Sequence, residues 1–317
     1  MKNLGLIKFL DADVNSFTSD IGLKIRKIIA KPLKVLLKIA TPEKIHVIKY
    51  PQLKKNTPYI FVSNHGFSND IISALATIDR SVYLLMGSTN QVEYNKLVYA
   101  AWVNGFIYVN RLDKKSRADA LPKMKRVLDS GTSILIFPEG GHNNTENLLC
   151  SKFFAGVYYL AKSTKVKVVP IAQYYEFGSE KIDIRVGDPI DIAGYENKEE
   201  ALCNLRDTIS TMVWENMEEC SNPMIRTKLN EDVHIQFMEQ RRQEYLKNPW
   251  TRDVWEEELT RYLDKDDKEY YSMLKSHDNI KVTANNADKV AAFLMKLEEL
   301  EKYDFKEYMH RNWNNNI

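Results

Sequence analysis

Cysteine is scarce in this 317-residue chain: Cys150, Cys203 and Cys220 are the three, and none stands in a metal-ligand spacing. So odd and sparse a set argues against a disulfide framework and suits a reducing cytosol, with packing as the expected role. No run of eighteen apolar residues occurs, so no ordinary transmembrane helix is expected. Residues 1–11 have too short an apolar core, and no small-residue cleavage site, for a signal peptide. Internal repeats and His/Cys clusters at metal spacing are also missing, and no metal ligand is assigned.

The formal net charge is only +2, yet it is unevenly spread. Residues 231–317 hold 14 basic and 19 acidic residues, and residues 1–230 hold 31 basic and 24 acidic. A basic body with an acidic tail suggests that the body meets an anionic partner. From Ile21 to Pro42 there is no acid at all, and Lys24, Arg26, Lys27, Lys31, Lys34 and Lys38 alternate with apolar residues at helical spacing. Pro32 is expected to kink or divide this helix. Its apolar stripe either packs on the domain, with the lysines in water, or lies on an anionic membrane surface, and both can hold. No interleaved aromatics are present for base stacking, so nucleic acid is not an expected partner.

Between residues 45 and 190, short apolar runs alternate with helical patterns. The strand candidates are Ile45–Ile48, Tyr59–Val62, Val82–Met86, Phe106–Val109, Ser133–Phe137, Val166–Ile171 and Ile182–Val186. The helix candidates are Asp70–Thr77, Gln91–Ala101, Arg117–Asp129, Phe153–Ala161 and Glu199–Glu219. This predicts an α/β fold with a largely parallel central sheet flanked by helices, and functional residues on loops at strand ends. Ser221-Asn222-Pro223 marks a break. Three parts are expected: an amphipathic helical segment over 1–44, the α/β domain over 45–220, and a helical extension over 221–317. The extension is too rich in aromatic residues for a solvated tail.

The chemistry-bearing stretch follows the second strand and reads Ser63-Asn64-His65-Gly66-Phe67-Ser68-Asn69-Asp70. On one continuous helix, residues five apart point about 140° from each other. With His65 on the loop and Asp70 in the first helical turn, the two can converge. A carboxylate on one ring nitrogen fixes the tautomer and stabilises the imidazolium formed when the other nitrogen takes a proton. Taken alone, the pair also fits a surface loop in which Asn64 and Asp70 serve as turn and cap residues.

Three further stretches follow in order: Gly105-Phe106-Ile107-Tyr108-Val109-Asn110-Arg111, then Phe137-Pro138-Glu139-Gly140, then Val169-Pro170-Ile171. Each has a plain structural reading: a surface cation, a turn and an edge-strand proline. Together with Asn64, His65 and Asp70, they resemble the four ordered blocks of the glycerophospholipid acyltransferase family, over about residues 45–215.

The resemblance implies O-acyl transfer from an acyl thioester to a hydroxyl of lysophosphatidic acid or a related precursor. In that reading His65 is the general base and Asp70 its orienting partner. Asn64, Arg111, Glu139 and Gly140 bind substrate, with Arg111 gripping a phosphate. No cofactor is implied beyond the co-substrate, acyl-CoA or an acyl-carrier-protein thioester. The setting is peripheral, at the cytoplasmic face of a membrane. No serine or cysteine nucleophile is needed, and Ser68 has no nucleophile-elbow context.

Two departures stand out. The third block usually continues Thr-Arg-Ser, but here reads Gly141-His142-Asn143; and Asn110 precedes Arg111 where an acid is frequent. His142 is expected to be an exposed loop histidine, or else a stand-in for the missing donor. The altered block also keeps open a different acceptor (another lysolipid or an acylated amino acid). A catalytically silent lipid-binding protein is the reading from another class. Oligomeric state and acyl chain length are not legible.

Overall fold

Among the described residues, runs of β-branched and aromatic residues, bounded by polar turns, form seven strands; amphipathic stretches between them form helices. A computed structural model describes residues 14, 19–41, 43–66, 69–87, 102–109, 114–143, 148–175 and 180–220. In chain order the elements are α1 (Asp20–Ala40), β1 (Lys44–Lys49), β2 (Ile60–Ser63), α2 (Asp70–Thr77), β3 (Val82–Gly87) and β4 (Phe106–Val109). They continue with α3 (Lys114–Asp129), β5 (Ser133–Ile136), α4 (Gly156–Thr164), β6 (Val168–Tyr175), β7 (Lys181–Val186) and α5 (Lys198–Cys220). The helix expected over Gln91–Ala101, and everything expected beyond residue 220, lie outside the described residues.

One sheet holds all seven strands in the order β1-β7-β6-β2-β5-β3-β4. Only β6 and β7 pair antiparallel, so the largely parallel sheet is as expected. Chain progress from β2 to β3 runs one way along the sheet, whereas β4 to β5 and β5 to β6 run the other. Right-handed crossovers then put α2 on one face and α3 and α4 on the opposite one. The central strands β2 and β5 are buried at every position, as apolar strands covered on both faces must be. β2 lies between β5 and β6, parallel to both, so the loops after β2 and β5 emerge together at one sheet edge.

Pro170 does not sit on an edge strand. It lies in β6, inside the sheet, paired with Val62 of β2. Its carbonyl accepts the Gly187 N–H at 2.8 Å, one position past the β6–β7 ladder, where the missing proline N–H costs little. A Cβ on Gly187 would lie 2.7 Å from the Pro170 ring, so only glycine fits there.

α1 corrects two expectations. It runs unbroken through Pro32, which lies on its exposed face, where the carbonyl it leaves unbonded can be hydrated. A mixed side carrying Arg26, Lys27 and Lys34 together with Leu23 and Leu37, rather than its main apolar stripe, meets the body. Arg26 donates to the Trp102 carbonyl at 3.0 Å, Lys27 to Ser130 at 2.5 Å and Lys34 to Arg80 at 2.5 Å. Burial pulls the Lys34 ammonium down to about 7. Leu23 is the buried apolar anchor. Ile21, Ile25, Ile28, Val35, Leu36 and Ile39 point outward, each 51–76% exposed. At 100° per residue these six fall within an arc of about 100°. Exposed Lys24, Lys31 and Lys38 run along one flank. Among the described residues, no helix is long and apolar enough to cross a membrane.

Candidate active site

The loop after β2 carries His65 off the end of a fully buried strand. Asn64 anchors that exit: its side-chain amide donates to the Gln173 carbonyl at 2.9 Å and accepts the Gln173 N–H at 2.8 Å. Gln173 in turn donates to Ser63 Oγ at 2.9 Å and to the Asp70 carbonyl at 3.0 Å, and accepts from Ser73 Oγ at 2.5 Å. One buried amide thus ties the last residue of β2, the first turn of α2 and β6 together. Asn64, expected to bind substrate, is buried with its polar atoms engaged inside the fold.

His65 and Asp70 converge as the spacing predicted. His65 Nδ1 lies 2.7 Å from Asp70 Oδ2, and the same oxygen accepts the Gly66 N–H at 2.9 Å. Asp70 is 0% and His65 9% exposed. A carboxylate placed on Nδ1 favours the proton there and leaves Nε2 as the basic nitrogen. The imidazole packs against two rings, with centroids 4.7 Å from Phe137 and 4.0 Å from His142.

The loop after β5 supplies the clamp. Glu139 Oε1 accepts the His65 backbone N–H at 2.7 Å, while Oε2 accepts the Ser151 N–H at 2.7 Å and the Ser151 hydroxyl at 2.6 Å. Burial pushes the Glu139 carboxyl up to about 7, against the pull of the Ser151 and His65 donors. These contacts turn its oxygens toward the protein rather than outward, as substrate binding would require. Gly140 closes the turn with φ +69° and an N–H bonded to the Phe137 carbonyl, a left-handed position that explains its glycine without a ligand. Arg111 lies outside the described residues.

His142 is not an exposed loop histidine. It is 7% exposed, and the next residue ties the loop back to the β2 exit through the Asn143 N–H on the His65 carbonyl at 2.5 Å. Sequence reasoning does not single out Ser73, Ser151 or Gln173. Ser151 and Gln173 stand 86 and 108 residues from His65 in sequence, and all three carry common polar side chains with no local signature.

A model described as "Acyltransferase" matches residues 44–174, which contain every one of these groups. Residues 44–174 are an acyltransferase-family domain. The domain resembles the chloroplastic 1-acyl-sn-glycerol-3-phosphate acyltransferase BAT2 of Brassica napus, at 30% identity over 160 residues, 47% of this chain and 44% of that protein. It resembles LPAT1 of Arabidopsis thaliana at 30% over 158 residues, 47% of this chain and 43% of that protein. The chain thus spans less than half the length of the curated relatives it matches. The crystal structure of the 1-acyl-sn-glycerophosphate acyltransferase PlsC from Thermotoga maritima shares the fold, with a TM-score of 0.51 and 18% identity over 69% of this chain and 89% of that one. In the acyltransferase domain, the first and third blocks meet through the bond between Glu139 and the His65 backbone.

Proposed function

We propose that the acyltransferase domain moves a fatty acyl group from a thioester to a hydroxyl of lysophosphatidic acid, at the cytoplasmic face of a membrane. The observation that carries this reading is the enclosed His65–Asp70 pair at 2.7 Å, with the His65 backbone held by Glu139. His65 Nε2 takes the proton of the acceptor hydroxyl as its oxygen attacks the thioester carbonyl. The C–O bond forms, the tetrahedral intermediate collapses, and the C–S bond breaks. The imidazolium then returns its proton to the departing thiolate. Asp70, bonded to Nδ1, balances the charge through the cycle. N–H groups at the start of α2 are the donors assigned to the developing oxyanion in this reading.

Arg111 grips the acceptor phosphate in this reading. Asn64 and Glu139 act from behind, by fixing the His65 backbone, and Gly140 shapes the turn that carries Glu139. The donor is acyl-CoA or an acyl-carrier-protein thioester. His142, standing where the family's arginine is usual, favours as a second reading an acceptor other than lysophosphatidic acid. α1 supplies the docking surface: its outward isoleucines and leucine enter the lipid boundary while Lys24, Lys31 and Lys38 meet anionic headgroups.

The test is thiol release from acyl-CoA by the full chain on anionic vesicles, with lysophosphatidic acid, glycerol 3-phosphate or no acceptor. Release that depends on lysophosphatidic acid supports the proposal. Release that ignores the acceptor, or none from either acyl-CoA or the carrier thioester, overturns it.

A further inference from the structure

The same cluster is also a donor set for a metal ion. His65, Asp70 and His142 each offer one ligand atom, all within 4.8 Å of one another, and all three residues are buried. They come from three places: the loop after β2, the first turn of α2 and the loop after β5. Each is held before any ligand arrives, His65 by Glu139, Asp70 by the Gly66 N–H, and the His142 loop by the Asn143–His65 bond.

Two imidazoles and one carboxylate suit zinc and its first-row neighbours; magnesium and calcium prefer all-oxygen shells. At zinc bond lengths of about 2.0–2.2 Å, tetrahedral ligand atoms stand roughly 3.3 Å apart. The 2.7 Å His65–Asp70 contact must therefore open by less than about 1 Å, within reach of small side-chain rotations. His142 completes the set, and it occurs where the third block departs from its usual Thr-Arg-Ser continuation.

A second cluster provides an internal contrast. His46, Asp183 and Cys220 also come within 4.8 Å of one another. There, however, Asp183 Oδ1 accepts from Lys181 Nζ at 2.8 Å as well as contacting His46 Nδ1 at 2.6 Å, so an ammonium already stands where a cation would bind.

We propose that His65, Asp70 and His142 bind one divalent transition-metal ion, with zinc as the physiological candidate, and that the bound ion inhibits by occupying His65. The inhibitory half rests on the acyl-transfer reading; the binding half does not.

Cobalt(II) and zinc are titrated into the full chain, without substrates, by equilibrium dialysis and visible absorption. About one ion per chain is expected, with no thiolate-to-cobalt charge-transfer band and no change in Cys220→Ser. His142→Asn should weaken binding at least ~10-fold with an unchanged circular dichroism spectrum. His65→Gln gives the same readout if His142→Asn fails to fold. Wild-type affinity in folded His142→Asn or His65→Gln, a thiolate band lost in Cys220→Ser, or no binding at all would each overturn the site. Zinc binding by a chain whose zinc-free form releases no thiol counts against the acyl-transfer reading alone; acyl transfer that is unchanged when one zinc is bound overturns the inhibitory half and leaves the binding half to the titration.

Discussion

Two histidine–aspartate pairs, one within the sheet and one at the end of its central strand, have nearly the same contact distance. His46 Nδ1 lies 2.6 Å from Asp183 and His65 Nδ1 2.7 Å from Asp70, so contact distance does not separate them. Their surroundings do. The His46 side chain is 52% exposed and shares its carboxylate with Lys181, on the paired strands β1 and β7 at the sheet edge. The His65 side chain is 11% exposed and packs against two rings, with its backbone bonded to a buried glutamate, at the end of the central strand β2. A base needs one defined tautomer and one defined position at the moment of reaction, and only the second pair is held tightly enough to provide both.

If enclosure makes the difference, Asp70→Asn should lower kcat by about 10²–10⁴-fold, by removing the charge that fixes and balances the imidazole. Asp183→Asn should leave turnover alone and cost about 1–3 kcal/mol of unfolding free energy, read by urea denaturation, because two donors then face a neutral amide.

Removing the clamp comes next. The Glu139 carboxyl is raised from 4.5 in the unfolded chain to about 7 in the fold. Between those values the folded chain holds a proton that the unfolded chain has released. Its contribution is therefore fully present below pH 4.5 and is lost as pH rises through 7, a change of about 3 kcal/mol. Glu139→Gln should flatten that fall in a series of denaturation curves.

Arg111→Ala should raise the KM for the phosphate-bearing acceptor by ~10–100-fold, from the loss of a charge-assisted bond, with little effect on the KM for the donor. Equal effects on both substrates would remove Arg111 from the phosphate. The smallest expected effect concerns the outward face of α1. Ile28→Ser should weaken binding to anionic vesicles about tenfold, and added salt should weaken it further. Unchanged sedimentation with vesicles would make the stripe structural.

Much of this was legible because the signals were local. Asp70–Thr77 and Phe106–Val109 have the predicted bounds, since apolar periodicity and turn residues decide both. The His65–Asp70 contact followed from a loop-to-helix spacing of five. β6 continues to Tyr175 rather than stopping at Ile171, because Gln173 reads as a strand end until its buried bonds to Asn64, Ser63, Ser73 and Asp70 are known. His142 read as exposed because the bond that folds its loop back comes from the next residue and reaches His65, 78 positions away. In α1 the periodicity gave the stripe but not its direction. The carbonyls of Trp102, Ser130 and Arg80 take Arg26, Lys27 and Lys34 and so set its orientation, and a sequence does not show where such acceptors gather.

The most direct measurement compares phosphatidic acid formation from lysophosphatidic acid and acyl-CoA by the wild-type chain, His65→Ala and His46→Ala, under identical conditions. A loss of at least ~10²-fold in His65→Ala, with His46→Ala within about twofold of wild type, is the predicted result. Substantial turnover in folded His65→Ala, or equal losses in both variants, would contradict the account.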